Sequence, residues 1–135
     1  MKYQIEEIEG IGHVYGDRLQ KLGIKSTDDL LAKGAKKSGR QDIAAKSGIP
    51  ESLILTWVNH ADLMRINGVG GQFAELLEAS GVDSVKEFAL RNAANLHTKM
   101  MEVNQKMGLS GKVPSTDGLQ DMIDAAKKLE QKVFH

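Results

Sequence analysis

The sequence predicts an all-α fold built from two related helical units, and three observations carry that prediction. Aromatic residues make up only 4% of the 135 residues, and β-branched residues never form the sustained alternating run a sheet needs. Apolar residues instead recur at three- and four-residue steps, the spacing of one helix face. Residues 8–31 also match residues 66–89 at a constant offset of 58: Gly10 meets Gly68, Gly12 meets Gly70, Gly23 meets Gly81, Ser26 meets Ser84 and Tyr15 meets Phe73. A match of that length in so short a chain points to duplication of one supersecondary unit.

Each unit opens on a Gly-apolar-Gly turn, Gly10-Ile11-Gly12 or Gly68-Val69-Gly70. The glycines permit positive φ and close backbone approach, and the middle residue can plug inward. A helix follows, with Val14, Leu19 and Leu22 on one face in the first unit and Phe73, Leu76 and Leu77 in the second. Gly23 and Gly81 stand where a left-handed C-terminal cap is wanted. Ser26 with Asp29, and Ser84 with Glu87, match the Ser-x-x-acid box that starts the next helix, a short one ending near Gly34 or Asn92.

Further along the first unit, residues 41–46 form a predicted helix and Gly48-Ile49-Pro50 a second tight hairpin. Residues 51–64 then form a longer helix, with Pro50 at its start and Leu53, Trp57, Ala61 and Met64 facing a core. In the second unit residues 93–107 are helical and residues 108–114 form a longer loop. Ser115 opens a last helix reaching about Val133, striped by Leu119, Ile123, Ala126 and Leu129. Matching Trp57 to Ile123 raises the offset from 58 to 66, so the second unit carries eight extra residues, placed near residues 105–115. The predicted division is residues 1–64 and 65–135, with Asp62-Leu63-Met64-Arg65 running straight from one unit into the next. Units of this size are marginal alone and are expected to pack together.

Charge limits the function classes. Lysine plus arginine is 18 and aspartate plus glutamate is 18, and a cut after Asp62 leaves each side balanced. Neither half is a basic module, so any nucleic-acid binding is local, weak and easily salted off. There is no cysteine, hence no disulfide framework, thiol nucleophile or thiolate metal site. No apolar run approaches the roughly 18 residues of a membrane span. The first residues, Met1 to Glu7, are amphipathic and acidic, unlike a signal peptide. A cytoplasmic protein is the expectation.

His13, His60, His97 and His135 are scattered, with no metal-ligand spacing among them. No nucleophile-base-orienter pattern appears, and Gly68-Val69-Gly70-Gly71 lacks the strand, lysine and spacing of a nucleotide loop. The expectation is a protein that is not an enzyme and needs no cofactor or metal. Glu6, Glu7 and Glu9 fit a solvated helix face. Trp57, Tyr15 and Phe73 are expected in the core.

The stretches Ile8-x-Gly10-Ile11-Gly12 with Leu19, Leu22-Gly23-Ile24 and Ser26, and Ile66-x-Gly68-Val69-Gly70 with Leu77, Gly81-Val82 and Ser84, resemble the helix-hairpin-helix motif. The first unit is similar to the double helix-hairpin-helix domains of recombinases, ligases, repair nucleases and repair polymerases. The full-length pattern, including Trp57-Val58-Asn59-His60-Ala61-Asp62-Leu63, resembles an uncharacterised bacterial family classed as a domain of unknown function. The resemblance implies a SAM-like, five-helix type of unit, twice over.

It also implies a phosphate site made by backbone amides, at Gly10, Ile11, Gly12 and His13 in the first turn and at Gly68, Val69, Gly70 and Gly71 in the second. Amides at a helix start do form a concave anion site. The DNA-binding members add a base near the turn. Here the first unit offers Arg18 and Lys21, whereas the second offers Gln72 and then Glu75 and Glu78. Residues 33–40 hold four bases and no acid, Lys33, Lys36, Lys37 and Arg40, and Lys46 stands beside the Gly48 hairpin.

Two functions follow as expectations. The first is weak, sequence-independent binding to the backbone of double-stranded DNA through the first turn and residues 33–40. The alternative is a protein-interaction or scaffolding module with purely structural turns, which the balanced charge and Met100, Met101, Met107 and Met122 favour. The sequence leaves the oligomeric state open.

Overall fold

The computed structural model describes residues 3–135, so Met1 and Lys2, where the acidic N-terminus begins, lie outside the described residues. Among the described residues there are eight α-helices and no strand. A 3-10 turn at Ile5–Glu7 precedes α1 (Gly12–Lys21), α2 (Thr27–Gly34), α3 (Lys37–Ser47), α4 (Glu51–Leu63), α5 (Gly71–Ala79), α6 (Val85–Ala89), α7 (Ala93–Met107) and α8 (Thr116–Lys127). An isolated antiparallel bridge joins Gln4 to Ser26.

The helix ends follow from local chemistry. At the end of α1, Gly23 takes φ 81°, its N–H donates to the Gln20 carbonyl at 3.0 Å, and the Ile24 N–H donates to the Leu19 carbonyl at 3.0 Å. At the end of α5, Gly81 takes φ 95°, with Gly81 on Glu78 at 3.0 Å and Val82 on Leu77 at 2.9 Å. This double bond plus a buried apolar residue just beyond is the Schellman ending. Ser26 caps α2 by accepting the Asp29 N–H at 3.1 Å, and the Asp29 carboxylate returns the bond to the Ser26 N–H at 3.2 Å. Ser84 caps α6 through Glu87 at 3.2 Å, but the Glu87 carboxylate turns instead to Arg91 at 2.8 Å. Asn92 and Ser115 cap α7 and α8.

The packing repeats in the two halves. In the first, α2 lies on α3 and α4, and α3 on α4. In the second, α6 and α7 both lie on α8, and α5 forms the seam between α4 and α7. One contiguous apolar cluster runs through both halves, from Ile5 to Val133. Trp57 and Phe73 belong to it, and Tyr15 packs half-buried at its edge with its ring 5.4 Å from Trp57.

Both chain ends lace the halves together. The start of α5 presses on the first segment so closely that a Cβ on Gly71 would collide with the Glu7 carbonyl. At the other end, the tail beyond α8 returns to the first half. The Phe134 N–H donates to the Ala35 carbonyl at 2.8 Å, and His135 Nε2 lies 3.0 Å from Asn59 Oδ1; at the junction of the halves Arg65 donates to the Glu130 carbonyl at 2.9 Å.

Three expectations need correction. α3 begins at Lys37 rather than near residue 41, so only Ala35 and Lys36 of the basic stretch lie outside a helix. α8 stops at Lys127, because the chain must leave the helix to bury Val133 against the first half; Leu129, expected in the core stripe, is 37% exposed. Val14, expected on the buried face of α1, is 66% exposed.

Candidate functional site

The two glycine turns share a design up to their middle residue. Gly10 and Gly68 both take φ 90°, a left-handed value that only glycine adopts without strain. Ile11 and Val69 plug into the core. Their N–H groups donate back to the Ile8 and Ile66 carbonyls at 3.4 and 3.1 Å. Those two amides, expected to face a phosphate, therefore already have partners, and the anion-facing set shrinks to the residues that follow.

Beyond that point the turns diverge. Gly12 takes φ 65° and opens α1, with His13 and Val14 beside it, all exposed, and nothing lies within 4 Å of the position a Cβ would occupy on Gly12. The first amides of α1 have no intrahelical acceptor and point outward from an open surface. Gly70 is instead extended at φ −95°, and α5 starts one residue later at Gly71. There the Glu7 backbone stands against the helix start, in a cleft lined also by Glu6, Glu9 and Gln72. The Glu7 carbonyl stands at the start of α5, while the Glu6 and Glu7 carboxylates turn to Gln20 and to the Gln4 N–H. Val69 is buried in the core, a Cβ on Gly68 would meet Met122 of the second half, and nothing lies within 4 Å of that position on Gly70.

The predicted bases do not converge on one point. Arg18 projects from α1 with its guanidinium 5.8 Å from the centroid of the Tyr15 ring. Lys21, one turn further on, pairs with Asp17 at 3.2 Å in a solvent-exposed pair of little energetic weight. Lys33 donates to the Leu22 carbonyl at 2.9 Å, which ties the end of α2 to the end of α1. Lys36 and Lys37 follow directly and are exposed. Lys46 lies at the opposite end of α3, paired with Asp42 at 3.1 Å.

Arg40 is a correction. It is 2% exposed, and its guanidinium donates to the carbonyls of Gly34, Ala35 and Phe134 at 2.8, 3.1 and 3.0 Å. Burial pulls its pKa below the ordinary arginine value, and the charge of Glu51 acts in the opposite direction. It ties the C-terminal tail to the α2–α3 corner and is buried rather than displayed on the surface with Lys36 and Lys37.

Two structurally important groups escaped sequence reasoning. Arg91 donates to the Gly81 carbonyl at 2.5 Å, just as Lys33 closes α1, and the offset of 58 from Lys33 to Arg91 is the signal that could have found it. Asp62, buried at the end of α4, bonds Arg65 and the Val85 N–H, and no local pattern marks it. Among the described residues no group of three His, Asp or Glu side chains is placed to hold a metal ion, and no helix is long and apolar enough to cross a membrane.

No curated protein and no solved structure matches the chain. A family model described as "Domain of unknown function (DUF4332)" matches residues 9–129, which takes in both glycine turns, and the chain belongs to that family.

Proposed function

We propose that the chain is a non-enzymatic binding module of two duplicated helix-hairpin-helix units, the first of which holds the backbone of double-stranded DNA weakly and without reading sequence. The duplication is supported by conformation as well as residue identity. At the offset of 58, both turns start on a glycine at φ 90°, both following helices end in the same double bond, both next helices are capped by serine, and a base from the end of that helix closes the one before it.

The observation that carries the binding reading is the open turn at Gly12, His13 and Val14. From it, Arg18 and then Lys21 follow along α1, and the exposed Lys36 and Lys37 follow Lys33, whose side chain reaches the end of α1. A strand presents one phosphate charge per about 3.4 Å of helix axis, so about 15 Å of α1 matches roughly four phosphates. The turn amides would hold one phosphate and the bases its neighbours. Contacts of that kind position a backbone and carry no sequence information.

The test is a fluorescence-anisotropy titration of two unrelated duplexes at low salt. The expected result is equal affinity for both, with dissociation constants of tens of micromolar. With two or three phosphates neutralised, log affinity should fall with log salt at a slope of about −2 to −3. Arg18→Ala combined with Lys21→Ala should remove most of that slope. Absence of binding at tens of micromolar protein ends this reading.

A second reading, a protein-interaction module, is favoured by Leu90, Met101 and Met107 of the second half, which are 75%, 50% and 59% exposed. It predicts a self-associated species or a co-purifying partner. A strict monomer by light scattering that captures nothing in a pull-down counts against it.

A further inference from the structure

Arg40 is a charged residue in a core position. It is the fourth residue of α3, whereas the fourth residue of α7 is Leu96, a buried apolar side chain of the kind a helix stripe requires. Burying a guanidinium carries a desolvation cost that leucine does not. The three bonds it makes go to neutral backbone carbonyls, and burial lowers its pKa more than the charge of Glu51 raises it. A guanidinium has five N–H donors. Three are taken, and one on Nη2 and the one on Nε are not used by these carbonyls.

Beside Arg40 lies an open cavity of about 390 Å³, lined by Lys37, Arg40, Glu51, Ser52, Leu55 and His135. Lys37 and the Ser52 hydroxyl belong to solvent-exposed residues. Glu51 and Ser52 are the first two residues of the 13-residue α4, and their amides have no intrahelical acceptor. Leu55 supplies an apolar wall, and Asn59 fixes the His135 ring opposite. The buried Arg40 and the exposed Lys37 share the cavity lining with one acidic side chain, that of Glu51.

We infer that this cavity between α3, the start of α4 and the C-terminal tail binds a small oxyanion, a carboxylate or phosphate group carried on a short apolar body. Arg40 and Lys37 hold the oxyanion, Ser52 donates to it, and Leu55 covers the apolar part. Glu51 limits the affinity and disfavours multiply charged ligands. The site is separate from the glycine turns and does not depend on the nucleic-acid reading.

The test uses the full chain, labelled with nitrogen-15 and titrated at constant ionic strength with butyrate, with inorganic phosphate and, separately, with a short duplex. The expected result is saturable, one-to-one shifts at Lys37, Ser52 and His135 with butyrate or phosphate. Lys37→Ala should weaken binding by about tenfold, the loss of one charge-assisted bond. Glu51→Gln should strengthen it by about threefold, the effect of one repulsive charge at solvent-screened range. Neither variant touches the bonds that Arg40 makes to the tail, so the fold is retained. Linear shifts spread over many lysines, an adventitious ion only, overturn the inference. So do equal affinities in all three proteins, or shifts at the cavity with the duplex alone, which would assign the anion to a nucleic-acid backbone.

Discussion

The side-chain carboxylate of Asp62, in the last turn of α4, accepts the backbone N–H of Val85 at 2.8 Å. Val85 is the first residue of α6, so a carboxylate from the first half satisfies a helix start in the second. The other Asp62 oxygen takes Arg65 at 2.6 Å, and Arg65 passes on to the Glu130 carbonyl of the tail. Asp62 is 2% exposed, so its removal strands a buried N–H and a partly buried guanidinium. Asp62→Ala is expected to lower stability by about 2–4 kcal/mol in urea unfolding. Asp62→Asn keeps an acceptor for Val85 and should cost less.

The paired Schellman endings make a second prediction. Gly23 and Gly81 hold φ 81° and 95°, which a Cβ strains, and each has only the end of a flexible basic side chain, Lys33 or Arg91, near the Cβ position. Gly23→Ala and Gly81→Ala should each destabilise by about 1 kcal/mol, and by similar amounts. A large cost at one site and none at the other would argue against equivalent roles for the two halves.

The two turns should respond differently to a single methyl group. A Cβ on Gly71 runs into the Glu7 carbonyl, while one on Gly12 meets open space and pays only for its φ of 65°. Gly71→Ala is expected to cost about 1–3 kcal/mol by overpacking and to speed amide exchange at Ile5. Gly12→Ala should cost about 1 kcal/mol and leave the exchange of Ile5 unchanged.

Arg40 tests how the tail is held. Arg40→Ala removes three bonds to carbonyls and opens a cavity, so a loss of about 3 kcal/mol is expected, with faster exchange of the Phe134 N–H that bonds Ala35. Arg40→Met fills the space without burying a charge and should cost less than Arg40→Ala. Unfolding midpoints of the two variants decide the order.

What the sequence made legible was what short-range chemistry decides. The Gly23 and Gly81 endings, the Ser26 and Ser84 caps, the plugs Ile11 and Val69 and the helix at residues 93–107 all lie where a few neighbouring residues fix them. The misjudged features depend on distant chain. Residues 36–40 look like a solvated basic loop, yet Gly39 lets α3 approach the Lys33 carbonyl and Arg40 finds its acceptors partly in Phe134, 94 residues on. α8 ends early because Val133 has a place in the core, which no helical pattern shows. The second glycine turn is nearly identical to the first in sequence. The Glu7 carbonyl stands beside Gly71 at its helix start, a neighbour only the tertiary fold supplies.

That difference between two like turns is the centre of the account, and amide chemical-shift mapping during a duplex titration at low salt tests it most directly. The account predicts shifts at Gly12, His13 and Val14 and along α1 at Arg18 and Lys21, with Gly70, Gly71 and Gln72 unmoved. Equal shifts at both turns, or shifts confined to the second, would contradict it.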